Sequence, residues 1–198
     1  MKLGTTSWLT GENFLDNARL VEGRVDFVEL LVYAWDRDMR AKVVSWLDGL
    51  AGLDLEYTLH LPTDAAAGAW EAARFFAESG FPLLNMTLHP LDGWREFAWP
   101  APVSVENLID RVEFHPRITF DLTHSLLGRP LPDHFLPHVV ELHLSGFDGR
   151  RDHLELDDAT LQRALPYLQE DRLVCFEIFD LDEAMRAVDK VRRAAIGG

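Results

Sequence analysis

Apolar positions along this chain follow two alternating rhythms. Short runs rich in Val, Leu, Phe and Thr occupy residues 2–7, 25–33, 54–60, 83–89, 102–106, 117–122, 139–144 and 172–178. They alternate only weakly with polar residues, as strands covered on both faces do. Between several of them, apolar residues recur with a 3.6-residue period. Met39, Val43, Trp46, Leu47 and Leu50 share one helical face, and Trp70, Ala73, Phe76 and Ala77 share another. Leu161, Leu165 and Leu168 mark a later helix, and Leu181, Met185, Val188 and Val191 the last. Gly23, Gly52 and Gly80 punctuate helix ends, where a left-handed residue is expected.

This alternation predicts an α/β fold, a compact (β/α)8 TIM barrel. A doubly wound open sheet is the second choice, but it gathers strand ends onto one centre less readily. At 198 residues the chain is short for a barrel. The shortening falls at 90–101, 107–116 and 125–138, which with Pro102 carry seven of the ten prolines and no full helical stripe. Short or irregular helices are therefore expected after strands 4, 5 and 6. There is no internal repeat, low-complexity tract or linker, so residues 1–198 read as one domain.

Composition adds one constraint. The apolar fraction of 47% and the charged fraction of 26% are ordinary, but the net charge is −14. Such a surface repels phosphate polymers and disfavours a broad nucleic-acid footprint. Cys175 is the lone cysteine and lies in an apolar run, so a buried inert thiol in a reducing compartment is expected. The first residues lack a cationic segment followed by an apolar stretch, and no apolar run approaches the ~18–20 residues that span a bilayer. The expectation is a soluble, cytoplasmic protein with no membrane partner.

The candidate chemistry sits at strand ends. His60 closes the third apolar run, His89 the fourth, Glu106 the fifth and Asp121 the sixth, with His124 just beyond. His143 lies at the end of the seventh, His153 in the following loop, and Glu177 at the end of the eighth. In a parallel barrel all strand C-termini open onto one face, so these eight residues would converge. Taken singly, each has an ordinary explanation: a strand-end salt bridge, a helix cap, a hydrogen-bonded core histidine. Taken together, imidazoles and carboxylates at successive strand ends suit zinc, manganese or iron, with two or three ions expected. His115, His134 and His138 lie in proline-rich loops and look incidental. Arg150 or Arg151 could hold a phosphate oxygen, and Trp8 or Trp35 could stack on a planar substrate. Trp94 and Trp99 look like packing residues. Glu29, mid-strand, could point into the bowl.

The ordered set His60-Leu-Pro, Leu-His89-Pro, Val-Glu106-Asn, Phe-Asp121-Leu-x-His124, Leu-His143-x-x-Gly, Asp-His153-Leu and Phe-Glu177 resembles the xylose isomerase-like barrel superfamily that includes endonuclease IV (AP endonuclease family 2). The resemblance implies one metal on His60, His89 and Glu106. It implies a second bridged by Glu106 and completed by Asp121, His143 and Glu177, and a third on His124 and His153. The superfamily's Asp-x-His is broken here by Arg151, so a third ion would need Asp148 or Asp152 instead. Three longer stretches (Leu3–Ser7 with Arg24–Leu30, Gly146–Leu154, and Phe176–Phe179) resemble the cobamide-remodelling phosphodiesterases of the same superfamily. The implied function is a metal-dependent phosphodiesterase acting on a small bulky substrate, a cobamide, with Glu106 and Glu177 at its catalytic centre. A sugar (phosphate) isomerase or epimerase, an abasic-site endonuclease and a non-enzymatic metal- or corrinoid-binding scaffold are the alternatives.

Overall fold

Each of the eight apolar runs forms a strand in the computed structural model, which describes residues 1–196. The strands are Lys2–Thr6 (β1), Phe27–Leu31 (β2), Glu56–His60 (β3), Asn85–Leu88 (β4), Val103–Glu106 (β5), Ile118–Asp121 (β6), Val139–Leu144 (β7) and Leu173–Phe176 (β8). All neighbouring pairs are parallel, and β8 pairs back onto β1 to close the barrel. The helices are Phe14–Val21 (α1), Arg37–Ala51 (α2), Ala66–Ser79 (α3), Leu122–Leu127 (α4), Asp158–Ala164 (α5) and Leu181–Ile196 (α6).

The expected shortening is present. A single 3-10 turn, Trp94–Glu96, follows β4, and no helix follows β5. The six-residue α4 and the 3-10 stretch Asp133–His138 follow β6. Proline supplies no amide donor, so these segments cannot sustain a helical ladder. Arg111, in the loop after β5, ties it to the loop after β4 through Asp92 at 2.8 Å and pairs with Glu113 of its own loop. Gly23 and Gly80 take left-handed conformations, with φ of 73° in both. Gly52 departs from expectation: it is a right-handed cap at φ −86°, bonded back to Gly49 and Leu50.

The apolar core is a shell between the barrel and its helices. Leu30, Leu59, Met86, Val105, Phe120, Leu142 and Val174 lie under Val43, Ala73, Phe76, Val188 and Val191. The inside of the barrel differs. Cross-strand partners Thr6, Glu29, Thr58 and Asn85 run round one side of the inner face. Asn85 donates across to Glu141 at 2.7 Å and to Ser104 at 2.7 Å, and Ser104 meets Thr119 at 2.6 Å. Barrels of this type usually fill this volume with Val, Ile and Leu. Here it is polar and carries two carboxyls, Glu29 and Glu141, both fully buried.

Candidate metal centre

The eight candidate ligands come to one end of the barrel. His60, Glu106 and Asp121 are the last residues of β3, β5 and β6, and His143 is the penultimate residue of β7. His89 and Glu177 each follow their strand by one residue. His124 is on the first turn of α4, not in a loop.

Glu106 is the hub, and its two oxygens face different partners. Oε2 is approached by His60 Nε2 at 3.4 Å and by His89 Nε2 at 3.0 Å. Oε1 is approached by His143 Nδ1 at 3.2 Å, with His124 Nδ1 at 3.7 Å. His143 Nδ1 also lies 3.3 Å from Glu177 Oε2. Two groups therefore have donor atoms within 4.8 Å of one another: His60, His89 and Glu106, and Glu106, Asp121, His143 and Glu177. They share Glu106.

The surroundings orient these groups. His60 Nδ1 contacts the Leu61 carbonyl at 3.1 Å, which places one proton there, so that in the neutral ring Nε2, facing Glu106, would carry the lone pair. Asp121 caps α4: its Oδ1 accepts from the His124 amide at 2.6 Å and from Thr123 Oγ1 at 2.8 Å. Oδ2 is left over for the centre, so capping and ligation do not exclude each other in this residue.

A divalent ion fits this donor set. Glu106 Oε2 is buried without a hydrogen-bond partner, although two imidazole nitrogens point at it. Burial opposes charge on Glu106, but His143, His60 and His89 outweigh it and hold the carboxyl well below the usual range. Glu177 is likewise held low, against burial, by His143 and His153. Burial raises Asp121 to about 6, helped by Glu177 and Glu106 and opposed by His124. Burial works against charge on His60 too, yet hydrogen bonding to Glu106 and the field of Glu29, Glu106 and Glu177 raise it to about 9.

This last shift sets the sign of a pH dependence. Without metal, His60 keeps its proton at pH 7, and a metal ion binding its Nε2 must expel it. Apparent zinc affinity is expected to rise with pH from 7 toward 9. Calorimetry at pH 7 in buffers of different ionisation enthalpy should detect proton release; binding heats independent of buffer would refute it.

The loop after β7 resolves which acid faces His153. Arg151 turns outward and pairs with Asp148 at 2.8 Å, both on the exposed turn. Asp152 turns inward, 3.4 Å from His124 Nε2 and 2.9 Å from His153 Nδ1. His153 Nε2 lies 3.5 Å from Glu177 Oε2. Of the two substitutes considered for the missing aspartate, Asp152 is the one in place. Among the described residues, His124, Asp152 and His153 do not form a third group as tight as the first two. The loop geometry depends on Gly146, where a Cβ would sit 2.0 Å from the Glu155 carbonyl oxygen, and on His153 at φ 55°.

Two residues expected to contact substrate have other partners in this structure. Trp35 packs on Phe75 and Phe76 of α3, at 5.2 and 6.2 Å between ring centres. Arg151 is engaged with Asp148 and is not aimed at the centre. Arg150 is exposed on the same turn, its backbone N–H donating to Asp148. Trp8, by contrast, lines a small cleft of about 110 Å³ with Tyr33 and Phe179. Tyr33 lies 5.8 Å from the His60 ring, and Phe179 stacks on His153 at 5.0 Å. Tyr33 and Phe179 were not legible as site residues, though each lies within three residues of a strand end. His115, His134 and His138 pack on Trp94, Phe135 and Phe114 in the outer loops.

No protein-family model and no curated protein matches the chain. Solved structures do. A D-tagatose 3-epimerase-like protein superposes with a TM-score of 0.71 at 13% identity, covering 98% of this chain and 96% of that one. The chain shares the closed (β/α)8 barrel fold of that protein. SacUVDE matches with a TM-score of 0.64 at 11% identity, over 98% of this chain and 99% of its own. The IOLI protein, solved with a zinc atom bound, matches at 0.62 and 12% identity, over 100% and 97%. At these identities the likeness establishes the fold. Among the described residues, no helix is long and apolar enough to cross a membrane.

Proposed function

We propose that the chain is a divalent-metal-dependent hydrolase of phosphodiesters, with a cobamide nucleotide loop as substrate. The division of Glu106 carries this reading: one oxygen faces His60 and His89, the other His143, so a single buried carboxylate can serve two neighbouring ions. Zinc, manganese or iron suits these donors. Such ions, when bound, acidify water and neutralise charge on phosphate oxygens.

The chain's own residues supply the rest. His60, His89, Asp121, His143 and Glu177 would hold the ions together with Glu106. His124, Asp152 and His153 extend the polar wall on one side, where a third ion or a phosphate-bound water would sit. The cleft of Trp8, Tyr33 and Phe179 borders the centre on the side of β1, β2 and β8 and would take an apolar or planar part of the substrate. The short segments after β4 to β6 leave the mouth free of long helical loops, which suits a bulky ring system. The charge of −14 argues against duplex DNA as the natural ligand.

One observation favours a second reading, a sugar isomerase or epimerase. Glu106, Asp121, His143 and Glu177 form a complete one-metal set by themselves, with carboxylates placed to move protons. Purified chain, loaded with zinc or manganese, should be incubated separately with a complete cobamide, a generic phosphodiester and a ketose. Release of a nucleotide-loop fragment from the cobamide is expected, with the ketose unchanged. Epimerised sugar beside intact phosphodiesters would establish the second reading. Cleavage of the generic ester alone would remove the cobamide from the proposal.

A further inference from the structure

We propose that Glu29 is a positioning residue for the metal centre: it accepts the Nε2–H of His143 and so fixes the ring with Nδ1 toward the metal. This rests on the reading of Glu106, Asp121, His143 and Glu177 as metal ligands, and adds a residue from β2, a strand that supplies no ligand.

The geometry is that of a ring held between two sets of carboxylates. His143 is fully buried. Its Nδ1 faces Glu106 Oε1 at 3.2 Å and Glu177 Oε2 at 3.3 Å. Its Nε2, on the far side of the ring, faces Glu29 Oε1 at 3.4 Å. Both of these inner atoms are buried, and neither makes a hydrogen bond in this structure, so each is the nearest partner open to the other. Among the described residues, no other carboxylate lies within 4.0 Å of that nitrogen.

Histidine chemistry then decides the arrangement. A neutral imidazole carries one N–H, and a metal ion takes the lone pair of the other nitrogen. With a metal held by these carboxylates on the Nδ1 side, the N–H would lie on Nε2, deep in the barrel. A buried donor without an acceptor is costly, and so is a buried carboxylate without a donor. The proposed pairing, closing the 3.4 Å gap by a few tenths of an ångström, would satisfy both. Metal-bound histidines commonly use a carboxylate in this way.

Glu29 is itself held in place. Its Oε2 lies 3.5 Å from the Cys175 thiol. The neighbouring carboxyl, Glu141, is committed elsewhere: its Oε2 accepts from Asn85 at 2.7 Å, and Asn85 Oδ1 accepts from Arg117 at 3.1 Å. Glu29, Glu141 and His143 nonetheless offer donor atoms within 4.8 Å of one another, so an ion of their own is the rival explanation.

The experiment compares full-length wild type, E29Q and E106Q by zinc titration against a competing chelator, with thermal melting of the metal-free proteins. E29Q should bind zinc about 10–100-fold more weakly, at unchanged stoichiometry, with a metal-free Tm equal to or above wild type. A packing defect would instead lower that Tm. Nitrogen NMR of the zinc-loaded wild type gives an arm that needs no variant: His143 should be zinc-bound through Nδ1 and protonated at Nε2. Unchanged affinity in E29Q, loss of one zinc equivalent from it, or zinc on His143 Nε2 each overturns the inference. A wild type that binds no zinc defeats the metal-centre reading itself; zinc binding abolished by E106Q but untouched by E29Q defeats only the role of Glu29.

Discussion

Glu106→Gln is expected to lose metal and turnover together, with zinc affinity falling by more than the factor of about 10² reached by outer-shell partners. The side chain keeps its shape, so the loss comes from charge. His60 and His89 converge on one oxygen of Glu106 and His143 on the other. A neutral amide has one carbonyl oxygen and one NH2, and cannot present an anionic ligand in both directions. The donor groups at His60–His89 and at Asp121–His143–Glu177 lose their shared member at once. His115→Ala and His138→Ala, in the outer loops, should leave metal content and turnover unchanged. The measurement is elemental analysis with activity on the same preparations. A Glu106→Gln protein that retains two equivalents, or an essential His115, would mean the centre lies elsewhere.

The second large effect separates the two proposed chemistries. The double variant His60→Ala with His89→Ala should lose one metal equivalent and keep another. Glu106, Asp121, His143 and Glu177 remain a complete donor set. Phosphodiester cleavage should drop by at least about 10²-fold, since an ion worth about 3 kcal/mol of charge stabilisation corresponds to that factor. One-metal proton transfer on a sugar would survive the same change. If the double variant keeps both equivalents, or cleaves phosphodiesters at the wild-type rate, the two groups do not hold separate ions.

The strands and most members of the buried histidine–carboxylate cluster were readable because the same physics marks both. A strand buried on two faces is a short apolar run, and a histidine or carboxylate ending such a run is conspicuous. His60, Glu106 and Asp121 needed nothing more. The shortened segments were readable because proline removes the donors a helix requires. What escaped depends on backbone paths that local residue types do not fix. Trp35 and Tyr33 lie two residues apart after β2, yet one packs on α3 and the other borders the cleft. Asp148 and Asp152 are equivalent on paper. The Gly146–Leu154 bridge and the left-handed His153 turn one toward the centre and leave the other on the surface. Glu141 escaped because an acid inside a run of Val and Leu reads as a strand interruption. It sits two residues before His143, and the inward alternation it shares with that histidine becomes evident only once the barrel closes.

The polar inner lining divides the work of each strand between its two faces. Along β7, Leu142 and Leu144 point to the helices, while Glu141 and His143 point to the axis. Truncating an outward residue such as Leu142 removes packing and costs about 2–5 kcal/mol. Replacing inward partners together by apolar residues of similar volume removes groups whose burial is itself a cost, so the fold loses little or gains, whereas removing one alone strands its partner. Tolerance to substitution should therefore oscillate with a two-residue period, in opposite phase for folding and for chemistry. A lineage carrying this barrel could exchange its reaction by rewriting every second position of its strands and leave its thermal resistance almost untouched.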